Sequence, residues 1–396
     1  MPTILTWRLG ALGDTLLLLP ALAALRAAFP AHTLVAAGAP SALATARWQG
    51  LADAVLDASA PTLAPLLAGG PPATGALPED IELAVIWSGR GADIARGLRQ
   101  AGVPRVLTAP AIPLAPLDNL PVAERYLATL APLGVAPVPF ALHAPAHAHT
   151  ATAGAWRGAA WQAPCGANAG PVALLHPGAG APAKRWPLAH YRELAQRLRD
   201  DGAAVVWTAG PADEEIRARL EDSAEKVHVL PSCDVAGLAA FVERAAVVVS
   251  GDCGVAHLTA LLGIRGVALF GPTSARLWGP PSDRTTVAHL ALPCAPCGPI
   301  APSCPSRMCL RGLSVDAVHR AVRLGIEGWR SARGARGAGD VARATDGLNH
   351  RAPYPSPSRP IDYHPPQPAP GPPGALRVAV WGNPDRWVRP RSTEPG

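Results

Sequence analysis

Three short stretches combine glycines with charged side chains where an apolar, strand-like run gives way to a helical one. They are "RLGALGD" at residues 8–14, "HPGAGAPAKRWP" at 176–187 and "SGDCGVAH" at 250–257. A turn that only reversed the chain would need neither a carboxylate nor a lysine. We interpret each stretch as a place where a ligand contacts the backbone.

The first stretch places a carboxylate at the start of a helix. Gly10 and Gly13 permit a tight turn, and Asp14 follows them directly. Two interpretations remain open for Asp14. It either caps the helix, or it faces a cleft and accepts a proton from a hydroxyl group.

The second stretch has the composition of a phosphate-binding loop. Backbone amides at Gly178 and Gly180 can approach an anion, and Lys184 supplies a mobile positive charge. The chain has only two lysines among its 35 basic residues, although a solvated loop charge is the alternative interpretation of Lys184. His176, at the strand end, is interpreted as a packing or hydrogen-bonding residue.

The third stretch predicts a diphosphate site at the start of a helix over residues 254–262, where unpaired amides attract anions. Asp252 would fix the turn or accept a hydrogen bond from a sugar hydroxyl. His257 either reaches the same anion or packs between helix and sheet. Cys253 contributes its backbone, because no neighbouring base marks it as a nucleophile, and Gly254 opens the helix.

A fourth stretch, "CAPCGPIAPSCPSRMC", holds Cys294, Cys297, Cys304 and Cys309. The spacing is compatible with a structural zinc or iron–sulfur site, or with metal-free thiols that order a loop. No other cofactor is expected.

Strand-like and helical runs alternate along most of the chain, which predicts an α/β protein with parallel sheets. A Pro-, Ala- and His-rich segment over 135–170 reads as a linker between two such series. We therefore predict two Rossmann-like domains, 1–160 and 161–330, facing each other across a cleft. Residues 331–396 are rich in Pro, Gly and Arg, which predicts a disordered tail in which only "ALRVAVW" could form a strand.

Composition excludes several classes of protein. Of the net charge of +6, +4 lies beyond residue 330, where nine arginines face five acids, so no nucleic-acid partner is expected. Seven cysteines, an odd number, favour a reducing, cytoplasmic location.

The run after Arg8 imitates a signal peptide, but Asp14 interrupts it and a strand precedes it, so we predict a strand, a turn and a helix. No apolar run is long enough to span a membrane.

Together these stretches resemble a known family, glycosyltransferase family 9, the bacterial heptosyltransferases. The resemblance rests on "RLGALGDTLLLLPALAALRAAFP", "LLHPGAGAPAKRWPLAHYRELAQRL" and "SGDCGVAHLTALLGIRGVALFGPTSARLWGP", in the family's order, and covers most of residues 1–330. It implies a GT-B fold and an inverting, metal-independent transfer of a sugar from a nucleotide-sugar donor. The implied donor is ADP-heptose. The implied acceptor is a hydroxyl of a glycan or of a lipid-linked acceptor such as a lipopolysaccharide core.

The resemblance also implies roles for individual residues. Asp14 would be the general base on the acceptor side, with Gly10 and Gly13, and Lys184 would neutralise the departing diphosphate. Asp252, Gly254 and His257 match the family's donor loop, with Cys253 in place of the usual threonine. One of the acids Asp213, Glu214 and Glu215 would contact the nucleoside. A lipid-linked acceptor would bring the protein into peripheral contact with the cytoplasmic face of the inner membrane.

Three alternatives remain. The donor is another nucleotide sugar, or the protein binds a nucleotide sugar without catalysis, or it is an NAD-dependent oxidoreductase. The last lacks its fingerprint, since "RLGALGD" contains only Gly-x2-Gly and no acid follows a second strand to bind a ribose.

Overall fold

The computed structural model describes residues 1–112, 120–158, 170–222, 227–334 and 376–380. Contacts divide the chain into two compact units. The first contains Met1–Pro145 with Asp234–Ala236, and the second contains the other described residues from Ala146 onward. The predicted domain boundaries at 160 and 330 stay predictions.

The first unit is built on a parallel sheet. Its strands are β1 (Thr3–Trp7), β2 (Thr33–Gly38), β3 (Ala54–Asp57), β4 (Ile81–Trp87) and β5 (Arg105–Ala109). Its helices are α1 (Leu12–Ala28), α2 (Pro40–Trp48), α3 (Ala64–Leu67), α4 (Gly91–Gln100) and α5 (Val122–Ala128). The strand order is β3-β2-β1-β4-β5, so the chain reverses its direction of travel across the sheet between β1 and β4.

Helix α1 explains why its sequence imitates a signal peptide. Residues 15–25 are all buried, so this part of the helix is covered on every side, and α2 and α5 are among the elements that contact it. A helix covered all round is apolar all round. By contrast α4 is amphipathic, with Ile94 and Leu98 fully buried and Arg96 exposed.

The second unit carries a larger sheet. Its strands are β6 (Val172–His176), β7 (Ala204–Trp207), β8 (His228–Val229), β9 (Val247–Gly251), β10 (Gly266–Leu269), β11 (Thr285–Leu290) and β12 (Leu376–Val380). The helices that follow Pro145 are α6 (Ala146–Gly158), α7 (Leu188–Asp200), α8 (Glu214–Glu221), α9 (Val235–Val242), α10 (Gly254–Leu261), α11 (Ala275–Trp278), α12 (Met308–Arg311) and α13 (Val315–Gly334). Short 3-10 helices cover Pro182–Lys184 and Pro211–Asp213.

Among the described residues the strand order of this sheet is β12-β11-β10-β9-β6-β7-β8. All neighbours are parallel except β12, which pairs antiparallel with β11. The chain leaves β6 toward β7 and β8 and then returns on the other side at β9. The direction of travel therefore reverses between β6 and β9.

Several elements differ from the sequence prediction. Helix α6 lies inside the segment 135–170 that reads as a linker, and α13 extends four residues beyond the predicted domain end at 330. The strand suggested by "ALRVAVW" is present as β12. The disorder predicted for 331–396 concerns mainly 335–375 and 381–396, which lie outside the described residues.

Candidate active site

Both sheets place one of the predicted ligand-binding loops at the point where the chain reverses its direction of travel. In open parallel sheets ligands bind at the carboxyl ends of the strands at such a point. The stretch 8–14 follows β1 in the first unit. In the second unit, the stretches 177–187 and 252–254 follow the neighbouring strands β6 and β9.

Asp14 lies in the first turn of α1, but not as its N-cap. The N-cap is Ala11, and the Asp14 carboxylate reaches back so that Oδ2 accepts a hydrogen bond from the Ala11 amide at 2.9 Å. This contact satisfies one of the free amides at the helix start. The side chain is 22% exposed, so its carboxylate is still accessible to a hydroxyl group.

Arg8 holds the other oxygen of this carboxylate. Its Nη2 lies 2.6 Å from Asp14 Oδ1, and its Nε donates to the Tyr126 hydroxyl at 2.9 Å. Tyr126 in turn donates to the carbonyl of Ala111 at 3.3 Å. Burial raises the pKa of the Tyr126 hydroxyl, with the Arg8 charge opposing that rise, so Tyr126 stays neutral.

Gly10 is required for this arrangement. A Cβ at Gly10 would lie 2.7 Å from Arg8 Nη1 and 2.7 Å from Asp14 Cβ. The sequence prediction includes Gly10 but not Arg8 or Tyr126. In sequence, Arg8 counts only as the leading charge of the signal-like segment, and Tyr126 is more than a hundred residues away. Only one sequence feature could have indicated a role for Arg8, its position directly after a buried strand.

Lys184 and Asp252 meet in the second unit. Lys184 Nζ lies 2.7 Å from Asp252 Oδ2, and Thr273 Oγ1 also donates to this oxygen. Lys184 is 32% exposed, whereas Asp252 is 7% exposed. The structure thus brings together two residues predicted from separate stretches. It adds Thr273, from the loop after β10, which sequence reasoning missed although "FGPT" follows a buried strand directly.

The start of α10 adjoins this pair. Cys253 is its N-cap in an extended conformation, Gly254 is its first residue, and His257, one turn further on, is buried at 3% exposure. Burial raises the pKa of the Cys253 thiol to about 12, against the opposing effect of the Val255 and Ala256 amides. Cys253 is therefore a neutral thiol and not an activated nucleophile.

The three acids after β7 differ sharply in their surroundings. Asp213 is 4% exposed, whereas Glu214 and Glu215 are exposed. Asp213 Oδ1 accepts hydrogen bonds from the Ala179 amide and from Arg185 Nη2, both at 3.1 Å. Asp213 therefore faces the loop that carries Lys184.

His176 is buried at the end of β6, as expected of a packing residue. Its carbonyl accepts a hydrogen bond from the Tyr191 hydroxyl at 3.2 Å, and its Nε2 lies 3.8 Å from Asp213 Oδ2. Burial lowers the pKa of its imidazole, with the Asp213 charge opposing that shift. The ring is therefore neutral at neutral pH.

The four cysteines after β11 do not form a metal-binding group. In the parts of the chain that the structure describes, no three His, Cys, Asp or Glu side chains are arranged to hold a metal ion. Cys304 Sγ accepts from the Arg307 amide at 3.4 Å, which lowers the pKa of its thiol. Burial raises the pKa of Cys309, and the neighbouring cysteines add to that rise.

Comparison with solved structures defines the class of fold. A glycosyltransferase family 9 structure from Veillonella parvula superposes with a TM-score of 0.64 at 18% identity, covering 82% of this chain and 97% of that one. The Escherichia coli ADP-heptose LPS heptosyltransferase II gives a TM-score of 0.61 at 18% identity, covering 82% and 98%. The predicted fold class is confirmed: this is an α/β protein of the GT-B type.

Comparison of sequences shows similarity to one family of glycosyltransferases. The model of glycosyltransferase family 9 (heptosyltransferase) matches residues 115–303. The lipopolysaccharide heptosyltransferase 1 of Pseudomonas aeruginosa is 38% identical over 113 residues, which are 28% of this chain and 32% of that protein. The lipooligosaccharide heptosyltransferase 2 of Haemophilus influenzae is 33% identical over 127 residues, 30% and 37% of the two chains.

These matches confirm the predicted resemblance: the chain is similar to the heptosyltransferases of glycosyltransferase family 9. The matched segments span about a third of the length of these curated relatives. In the described residues no helix combines the length and the apolar character needed to cross a membrane.

Proposed function

We propose that the chain is a glycosyltransferase that moves a sugar from a nucleotide-sugar donor to a hydroxyl group, with inversion at the anomeric carbon and without a metal. The observation that carries the proposal is the Lys184–Asp252 pair at the reversal point of the second sheet, beside the start of α10. A lysine and the backbone amides at a helix start together stabilise a diphosphate, the leaving group of such a donor.

ADP-heptose is the donor that we propose. Its support is the likeness to proteins named as heptosyltransferases, one of them as an ADP-heptose enzyme. The corresponding acceptor is a glycan of the lipopolysaccharide-core type. If it is linked to lipid, the protein reaches it by peripheral contact with the membrane.

Asp14 is the group that we propose as general base. Its carboxylate is accessible, and its two oxygens are held by Arg8 and the Ala11 amide, so the remaining lone pairs have a fixed direction. The acceptor hydroxyl would give its proton to Asp14 as its oxygen attacks the anomeric carbon. The bond from the anomeric carbon to the diphosphate breaks as the new bond forms, its electron pair leaves with the diphosphate, and Lys184 neutralises the charge that develops there.

A thermal-shift titration with ADP, ADP-heptose, UDP-glucose, GDP-mannose and NAD tests the donor site. Stabilisation by ADP and ADP-heptose, weakened in Lys184→Ala, is expected, because ligands that bind only the folded state raise its melting temperature. Stabilisation by NAD alone, or by no ligand, would contradict the proposal. Stabilisation by UDP-glucose or GDP-mannose in place of ADP would change only the proposed identity of the donor.

Substitution of the proposed base tests catalysis separately. Asp14→Asn keeps the size of the side chain but removes its basicity, so we expect turnover to fall by a factor of about 100 or more while ADP still binds. Unchanged turnover would rule out Asp14 as the general base. If the wild-type protein bound ADP-heptose but transferred no sugar to any acceptor offered, the non-catalytic alternative would be favoured.

A further inference from the structure

Two neighbouring basic residues of one loop contact two different carboxylates. The loop runs from Pro177 to Pro187, between β6 and α7, and is called the lysine loop below. Lys184 pairs with Asp252. Arg185, the next residue, points to Asp213, which lies after β7. The proposed function uses the first contact and leaves the second without a role.

Asp213 contacts the lysine loop near both of its ends, and its Oδ2 also lies 3.8 Å from Nε2 of His176, the residue before the loop. Its Oδ1 accepts from Ala179 at one end of the loop and from Arg185 at the other, both at 3.1 Å. Arg185 Nε also donates to the Ala179 carbonyl at 3.3 Å. One carboxylate and one guanidinium thus join the two ends of the loop.

The loop backbone also lies directly against this carboxylate. A Cβ at Gly178 would be 2.0 Å from Asp213 Oδ2, so only glycine allows the approach. Asp213 and Arg185 are 5% and 19% exposed at the side chain. A buried carboxylate that lost its partners would be strongly destabilised, and the loop is therefore held tightly in this conformation.

We propose that Asp213 and Arg185 are positioning residues that fix the lysine loop and so hold Lys184 where it meets the donor diphosphate. The inference rests on the proposed function, because it assumes that Lys184 binds the diphosphate. It assigns Asp213 a role different from the nucleoside contact that the family resemblance implies for one of the three acids. A side chain 4% exposed, with one oxygen accepting from the loop and the other against Gly178, has little surface to offer a nucleoside.

The decisive experiment compares three ligands by calorimetry on the full chain. These are ADP, pyrophosphate and adenosine, each titrated into wild type, Asp213→Asn and Lys184→Ala. A positioning role predicts that Asp213→Asn weakens ADP and pyrophosphate by about tenfold, the effect of one charge-assisted hydrogen bond, while adenosine changes less than about twofold. A nucleoside contact predicts that Asp213→Asn weakens ADP and adenosine while pyrophosphate changes less than about twofold.

The double variant tests whether Asp213 acts through the lysine. If it does, Asp213→Asn combined with Lys184→Ala should bind ADP no more weakly than Lys184→Ala alone, because coupled residues are not additive. Additive losses would overturn the inference. In turnover assays, Asp213→Asn should raise the KM for the donor, as expected when a diphosphate contact is misplaced.

Conservative and control variants separate positioning from a loss of folding. Arg185→Lys keeps the charge but loses the planar fork, so we expect ADP affinity between those of wild type and Arg185→Met. Glu221→Gln removes an exposed carboxylate from α8, the helix that follows Asp213, and should leave all three affinities unchanged. If Asp213→Asn does not fold, the two Arg185 variants provide the test. Equal ADP affinity in wild type and Arg185→Met would then overturn the inference.

The outcomes also distinguish the inference from the function on which it rests. If wild type binds neither ADP nor pyrophosphate, or Lys184→Ala binds both as well as wild type, the proposed donor site is wrong. If binding depends on Lys184 but not on Asp213 or Arg185, only the positioning role is wrong.

Discussion

At the scale of single residues, the two proposed reacting groups are both held by a partner of opposite charge. Asp14 is paired with Arg8, and Lys184 is paired with Asp252. Such pairs fix a side chain's direction before the ligand arrives, which reduces the entropy lost on binding. The Lys184 pair also means that a diphosphate must share the lysine with a carboxylate.

Gly10→Ala should disturb the Asp14–Arg8 pair without changing any charge. The added Cβ would lie 2.7 Å from Arg8 Nη1, so the pair must move. We expect turnover to fall by about 100-fold, as for a misplacement of about 1 Å, while ADP affinity is kept. Gly89→Ala is the matched control, because a Cβ there meets nothing within 4 Å. Equal turnover of the two variants would contradict the role of Gly10.

The cysteines should differ in their reaction with iodoacetamide at pH 8. The Cys253 pKa is raised to about 12, so its reactive thiolate is scarce at that pH, whereas hydrogen bonds from Arg307 and Ser306 lower the Cys304 pKa. Mass spectrometry of peptides should show Cys304 labelled faster, and the difference should disappear in urea. Faster labelling of Cys253 in the folded protein would show that its thiol is activated.

At the scale of elements, the lysine loop is anchored by Trp186, the residue before its last one. Trp186 is 2% exposed, and its Nε1 donates to the Leu313 carbonyl at 2.9 Å, which ties the loop to the segment before α13. Tyr191 packs against Trp186 with ring centroids 4.9 Å apart. The loop is thus held by a charge pair at Asp213 and by an aromatic residue in the core.

Trp186→Phe should separate the hydrogen bond from the packing. Phenylalanine fills most of the space but leaves the Leu313 carbonyl without its donor, which costs about 1–3 kcal/mol of unfolding free energy. Urea denaturation measures the loss, and Trp329→Phe, at a half-buried position near the end of α13, is the control. If both substitutions had the same small effect, the buried bond would contribute nothing.

How far the sequence predicts these features depends on the distance between the partners. The three loops and their position after strands follow from local patterns, because glycines, charges and apolar runs lie side by side. Arg185 and Asp213 are 28 residues apart and meet only because β6 and β7 are neighbours. Helix α6 was missed for another reason: its Ala- and His-rich sequence has no apolar period.

At the scale of the whole molecule, the two units use the same device. In each, the first strand of the unit's sheet is followed by a loop at the point where the chain reverses across the sheet, after β1 in one and β6 in the other. The strand orders alone explain these positions. At the reversal point the neighbouring connections run to opposite sides of the sheet, which leaves a crevice above the loop. The acceptor-side and donor-side groups of the proposed reaction therefore have equivalent positions in two separate sheets.

The last strand raises a question of stability for the second unit. β12 pairs antiparallel with β11, from Thr286 with Val380 to Leu290 with Leu376. Without β12, β11 would be an edge strand with unpaired backbone groups, which promotes association between chains. The residues 376–380 therefore protect β11 by pairing with its backbone groups, and β12 takes the edge position among the described strands.

Replacing Leu376–Val380 by Gly-Ser-Gly-Ser-Gly tests this protection at constant chain length. Glycine and serine pair poorly in strands, so we expect a lower melting temperature and concentration-dependent association in light scattering. A chain ending at Val380 keeps β12 and should behave as the full chain does. The pairing would be unimportant if the replaced chain melted at the same temperature and stayed equally dispersed. ADP binding should survive in both chains, because the Lys184–Asp252 site lies at the ends of β9 and β6, which are two and three strands away from β11.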